Sequence, residues 1–251
     1  QAVLEQLGAA VTVISRSGPD NYENLHRHGD AAILVNATPV GMYPKAGQSP
    51  VDLDRLPQLE AVLDIVYNPT RTRLILDAQA RGIPCESGLL MLVAQAVRAS
   101  EIFTGQAIPA ETLSRVVAAV ARDMENVTLI GMPGAGKTTV GRILAQKLGR
   151  EFVDCDEVLV QRAGMPIPDY FAQFGEDAFR QLETALLREL GQKSRLVLAT
   201  GGGCVTRPEN RDLLRQNGTV VWLKRPLRDL PIAGRPVSQA LGVEEIYRRR
   251  Q

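Results

Sequence analysis

Short runs of apolar and β-branched residues alternate along this chain with stretches of helical spacing, and the alternation happens twice. Residues 1–7 read as the tail of an amphipathic helix, and Val11-Thr12-Val13-Ile14-Ser15 predicts a strand. Further strands are expected over 31–35 and 61–67. The turn Asn68-Pro69-Thr70 leads into a helix over 71–81, and another helix over 89–103 stops at Thr104-Gly105. Residues 110–124 form a further helical pattern, entered through Ile108-Pro109. A second series starts at Asn126. Strands are expected over 127–130, 152–154, 196–200 and 220–223, and helices over 137–148, 176–190 and 208–217. Strands interleaved with helices predict parallel sheets, so the chain reads as two α/β units with a boundary near Glu125.

Composition narrows this picture. Aromatic residues make up 4% of the chain, so its cores are expected to be aliphatic, as in sheets rich in Val, Ile and Leu. A formal net charge of +1 calls for neither nucleic acid nor an anionic membrane as partner. Arg248-Arg249-Arg250 reads as a solvated helix end. Cys85, Cys155 and Cys204 are odd in number, widely spaced and free of any CxxC pattern, which fits a reducing compartment rather than a disulfide framework or zinc site. No apolar run suits a membrane span and no signal peptide opens the chain, so the expected setting is cytoplasmic.

The sharpest chemical signal is Gly131-Met132-Pro133-Gly134-Ala135-Gly136-Lys137-Thr138, which fits G-x-x-x-x-G-K-[ST] between a strand and a helix. Glycines let backbone N–H groups turn inward on an anion, and the helix N-terminus adds its dipole. Gly134, Ala135, Gly136, Lys137, Thr138 and Thr139 are the expected triphosphate contacts. Lys137 would reach the β- and γ-phosphates, and the Thr138 hydroxyl would coordinate magnesium. A guanine-specific NKxD-type motif is absent.

Four other clusters decide what such a loop serves. Asp154 and Asp156 stand at i and i+2 at a predicted strand end, where period two puts both on one face. One carboxylate can hold magnesium while the other accepts a hydroxyl proton; alternatively, Asp156 only caps the next helix. Arg180 and Glu183 share a helical face, either as a plain surface ion pair or as a carboxylate-binding fork with its support. Gly201-Gly202-Gly203 follows a strand directly, leaving a bare backbone beside a ligand or a simple flexible turn. Arg235, in Gly234-Arg235-Pro236, is a lid arginine or an ordinary loop charge.

In order along residues 126–251, GMPGAGKTT, FVDCDEV, FGEDAFRQLE, ATGGGCV and IAGRPV resemble the shikimate kinase family. That resemblance implies a P-loop kinase domain with a parallel sheet, ATP with Mg2+ as donor and the 3-hydroxyl of shikimate as acceptor. Asp156 would bind and deprotonate the hydroxyl, Asp154 would help Thr138 hold the metal, and Arg180 would bind the substrate carboxylate. Gly201, Gly202 and Gly203 would line the substrate, and Arg235 would close over ATP. The family also has a carboxylate-binding arginine in a final helix, with a last strand and an adenine-contacting loop. The chain ends before that region, and the role is not transferred to Arg248, Arg249 or Arg250.

Residues 1–105 resemble the C-terminal, NADP-binding portion of shikimate dehydrogenase. The segments concerned are Ser15-Arg16-Ser17, with no acid at the strand end, Asn36-Ala37-Thr38-Pro39-Val40-Gly41-Met42, Leu63–Pro69 and Gly88–Gln95. An arginine without an acid there suits the 2′-phosphate of NADP. By resemblance Ser15, Arg16, Ser17, Asn36, Thr38, Ile65 and Gly88 border NADP, while Tyr67 and Gln95 face shikimate. Gln95 is also an amide on a largely apolar helix, where a buried amide needs partners. The expected organisation is a partial Rossmann-like domain over 1–109, a helical connector over 110–125 and the kinase domain over 126–251. The two activities would be consecutive steps of aromatic amino-acid biosynthesis, with other enzymes of that pathway as compatible partners. Both ends are expected to be truncated, and the dehydrogenase half inactive in these residues. Another small-molecule P-loop kinase and a non-catalytic nucleotide-binding fragment are the competing readings.

Overall fold

The computed structural model describes residues 2–230 and 247–248, and within it the chain forms two compact units. The first comprises residues 1–67 and 72–88; the second comprises residues 68–71 and 89–251.

In the first unit, α1 (Ala2–Gln6) precedes a long irregular stretch. Three strands follow, β1 (Ile33–Asn36), β2 (Ala61–Asp64) and β3 (Cys85–Ser87), with α2 (Arg73–Ala80) crossing between β2 and β3. The sheet is parallel in the order β1-β2-β3. Val62, Leu74 and Ala78 are fully buried and pack with Leu25, Leu53 and Leu56. A buried carboxylate organises the strand ends. Asp64 accepts hydrogen bonds from Asn36 Nδ2 (2.9 Å), Val66 N (3.0 Å) and Thr72 Oγ1 (2.6 Å), and Thr72 Oγ1 in turn caps α2 at Ile75 N. Burial pushes the Asp64 carboxyl up, against the downward pull of those three bonds.

The strand expected over 11–15 does not form; Ser15 makes only an isolated bridge to Asn21. Its β-branched sequence is suited to a pleated surface, but that preference is realised only against a neighbouring strand, and none of the described ones pairs there. The short strand β3 escaped the sequence pattern because Cys-Glu-Ser has no alternation to read.

The second unit begins with a helix pair, α3 (Leu89–Thr104) packed on α4 (Ala110–Met124). Next come β4 (Asn126–Ile130), α5 (Lys137–Leu148), β5 (Glu151–Asp154), α6 (Cys155–Ala163), α7 (Ile167–Gly191), β6 (Leu196–Ala199), α8 (Pro208–Gln216) and β7 (Gly218–Trp222). The four strands are parallel in the order β5-β6-β4-β7. β6, the run Leu-Val-Leu-Ala, is buried along its whole length, as an inner strand covered on both faces requires. Asn126 ties three elements together. Its amide donates to Lys193 O at 2.9 Å, and its Oδ1 accepts from Leu196 N at 2.9 Å.

Two departures from the sequence pattern shape the site. The chain turns from β5 into α6 at Cys155, so Asp154 ends a strand and Asp156 lies in a helical first turn. α7 starts nine residues earlier than expected and breaks at Gly175 (φ 84°, ψ 168°), a conformation glycine alone adopts cheaply. Four of the scarce aromatics, Tyr170, Phe171, Phe174 and Phe179, gather at that break, so the core there is not purely aliphatic. The rings of Phe171 and Phe179 lie 4.8 Å apart, and those of Tyr170 and Phe174 4.7 Å apart.

Leu186, on the second segment of α7, is fully buried among Leu159, Leu187 and Leu198. Leu186→Ala is expected to destabilise this unit by about 2–5 kcal/mol through lost transfer free energy and a residual cavity. Urea unfolding should show it as a lower midpoint with an unchanged slope.

Candidate active site

β4 lies at the sheet's switch point, with β6 on one side and β7 on the other, and the loop 131–136 leaves its carboxyl end. Open α/β sheets bind ligands at that place. Gly131 has φ 147°, and a Cβ there would lie 2.6 Å from Leu223 O, so the loop passes too close to the end of β7 for any other residue. Gly136, at φ 96°, admits the chain into α5. Lys137 is buried, its Nζ donating to Gly131 O (2.9 Å) and Met132 O (3.1 Å) across the mouth of the loop. Thr138 Oγ1 donates to Asp154 Oδ2 at 2.7 Å, while Asp154 Oδ1 accepts from Asp156 N at 3.1 Å and caps α6. Thr139 is exposed one residue further along α5.

Asp154 and Asp156 are thus brought together by a helix cap, not by strand alternation, and it is Asp154 that caps. Asp156 is half-buried, and burial raises its carboxyl above the ordinary value. Asp154 raises it further, while Lys137 and Arg180 pull it back.

Opposite stands α7. Arg180 is 8% exposed, so the plain surface pair does not describe it. Its Nη1 donates to Glu183 Oε2 at 2.9 Å, and its Nε and Nη2 donate to Glu176 Oε1 at 3.2 and 3.0 Å. Burial lowers the guanidinium's affinity for its proton, but Glu183 and Glu176 outweigh that and the net direction is upward.

The triple glycine after β6 packs against these groups. A Cβ on Gly201 would lie 2.7 Å from Asp156 Oδ1 and 2.9 Å from Glu183 Oε1, and one on Gly203 would lie 2.7 Å from Arg180 Cζ. A side chain at Gly201 or Gly203 would have to displace the protein's own ionic groups, so the two buried glycines are no simple flexible turn. Behind the loop, Asn210 is wholly buried. Its Nδ2 donates to Cys204 O at 2.9 Å and its Oδ1 accepts from Thr184 Oγ1 at 2.7 Å, which fixes the loop to α7.

Sequence reasoning passed over Glu176, although a glutamate four residues before an arginine on a helix was a readable signal. It also passed over Asn210 and Arg225, whose Nη1 donates to Gly134 O at 3.1 Å; nothing local marked either. Arg235 lies outside the described residues. Among the described residues no cluster of three or more His, Cys, Asp or Glu could hold a metal by protein ligands alone, and no helix is long and apolar enough to cross a membrane.

In the first unit, Asn36, Thr38, Ile65 and Gly88 stand at the carboxyl ends of β1, β2 and β3 or just beyond them. Asn36 is buried, its amide committed to Asp64 and its Oδ1 accepting from Thr38 N and Oγ1. Gly88 is demanded by crowding, since any Cβ would overlap the Ile65 carbonyl. Ser15 is half-buried, and Arg16, Ser17 and Tyr67 are exposed. In the second unit Gln95 is exposed on α3, so it is not the buried amide that its apolar neighbours suggested: Leu90, Met91 and Leu92 are exposed too.

The phosphate loop at the switch point, with Lys137 and Thr138 heading α5 and Asp154 ending β5, defines a P-loop α/β domain. Residues 133–232 match the shikimate kinase family model. The shikimate kinase of Nitrosomonas europaea is 49% identical over 105 residues, 42% of this chain and 50% of that protein. The chain spans about half the length of that relative. A solved shikimate kinase from Acinetobacter baumannii in complex with shikimate is 40% identical, covering 53% of this chain and 77% of that one, with a TM-score of 0.48. A chorismate mutase/shikimate 5-dehydrogenase fusion protein from Clostridium acetobutylicum is 28% identical, covering 47% and 49%, with a TM-score of 0.43.

A carboxyl held above its unfolded value stabilises the fold only while protonated. That contribution is complete below the unfolded value and is lost as pH rises through the folded one. At neutral pH the ionised Asp156 is thus a net cost. Asp156→Asn is expected to melt at a higher temperature than the parent at neutral pH, with the gap closing in acid, measured by thermal denaturation across pH.

Proposed function

We propose that the second unit transfers the γ-phosphoryl group of ATP to the 3-hydroxyl of shikimate. The observation that carries this reading is the convergence of three groups on one strand-end crevice. They are the Thr138–Asp154 pair, the half-buried Asp156 beside Gly201 and the buried Arg180 beneath Gly203.

The backbone of 131–136, with the N-terminus of α5, would cradle the triphosphate, and Lys137 would leave the loop carbonyls for the β- and γ-phosphates. Thr138 and Asp154 are hard oxygen ligands 2.7 Å apart and fit Mg2+, which would neutralise phosphate charge. Arg180 would hold the substrate carboxylate, leaving the hydroxyl beside Asp156. As the hydroxyl oxygen bonds to the γ-phosphorus, its proton passes to Asp156, the bond to the bridging oxygen breaks and ADP departs. The raised affinity of Asp156 for protons favours that acceptor role. Arg235 is proposed as the arginine that closes over the phosphates.

The first unit supports a second part of the proposal, an NADP-binding portion of a shikimate dehydrogenase. Its three parallel strands end together at Asn36, Ile65 and Gly88, where such sheets bind ligands, and exposed Arg16 is free to meet a 2′-phosphate. NADP would supply a hydride acceptor or donor there, with Tyr67 proposed toward the substrate. Three free thiols suit a reducing compartment.

A coupled ADP-release assay tests the kinase reading. ADP release should require both shikimate and Mg2+. Asp156→Asn should lower kcat on the order of 10²–10⁴-fold, and Arg180→Lys should chiefly raise the KM for shikimate. Release indifferent to shikimate would sink the proposal.

A further inference from the structure

Arg180 is held by two carboxylates of very different standing. Glu183 is 1% exposed and takes Nη1; Glu176 is 64% exposed and takes Nε and Nη2 through one oxygen. Buried ionic partners are costly to separate, whereas exposed ones exchange with water at little cost. The glutamate that shares the buried pair is therefore a fixed support. The one in solvent can leave by rotating its own side chain. It stands directly after the Gly175 break, four residues before Arg180, so it caps the guanidinium from the solvent side. The edge it covers carries the two parallel N–H groups that grip a planar carboxylate bidentately.

We propose that Glu176 is an internal surrogate for the substrate carboxylate, occupying the Arg180 fork until a carboxylated substrate displaces it. This rests on the reading of Arg180 as the substrate-carboxylate site. Glu176 keeps the buried guanidinium neutralised and correctly aimed in the free protein, and it sets a threshold that a ligand must exceed. An acceptor with a carboxylate replaces one charged contact by another. An uncharged analogue cannot, and it would leave the fork on Glu176. Glu176 thus acts as a specificity-determining residue through competition, without touching the reacting atoms.

Titration calorimetry of shikimate and its methyl ester against the full chain, without nucleotide, tests this. The parent should bind the acid more tightly than the ester. Glu176→Gln should tighten binding of the acid by about two- to fivefold, the worth of an exposed ion pair, and leave the ester unchanged. In an Arg180→Lys background, which lacks the fork, that gain should disappear. If the parent prefers the acid and Glu176→Gln leaves its affinity unchanged or weaker, the surrogate role is overturned while the carboxylate reading stands. Equal binding of acid and ester by the parent, or binding of neither by parent and variant, overturns both.

Discussion

The second unit is arranged around one constraint, that Glu183 is ionisable and wholly enclosed. A carboxylate in that setting needs a cation and hydrogen bonds, and Arg180 supplies both at 2.9 Å. Removing either partner from such a pair costs about 3–5 kcal/mol, because the other is left charged and dry. The surroundings follow from the pair. The chain after β6 must lack side chains at Gly201 and Gly203 to pass over it. Thr184 and Asn210 then lock that chain to α7. Cys204, next in line, is enclosed as well, its thiol pushed up to about 12 by burial and by Glu183. The polar crevice and the hydrophobic core are thus one construction seen from two sides.

The first unit solves a smaller version of the same problem. Asp64 is enclosed at the end of β2 and receives three neutral donors in place of a cation. Each donor belongs to a different segment, so satisfying one carboxylate fixes the end of β1, the turn after β2 and the start of α2. Neutral donors position loops without adding charge.

Much of this was legible in the residues. Strands and helices of the second unit were readable because their apolar runs are long and their ends carry Gly or Pro, as at Gly149 and Pro208. The glycine-rich loop was readable because few physical reasons other than anion binding place those residues between a strand and a helix. What escaped notice depended on distant partners. Residues 11–15 have strand composition but no partner strand. Asp154 and Asp156 were grouped correctly for a reason that does not hold, since a helix cap replaces strand alternation. The triple glycine read as room for a ligand, whereas its first demand is room for Asp156, Glu183 and Arg180. Asn210 reads as an ordinary polar residue in α8, and only the fold reveals it as the tie between loop and helix. Glu176 was visible as half of an i,i+4 pair, but nothing local told that its partner would be buried.

Trp222 closes β7 and stands in register with Ile130, the residue before the phosphate loop. It is 44% exposed, with the Lys224 ammonium 4.2 Å from its ring centroid. Trp222 is the single tryptophan of these 251 residues, so their indole emission originates at one strand end beside Gly131. The molecule carries its own optical probe there, one whose local charge and solvent contact are set by Lys224 and by the edge of the sheet.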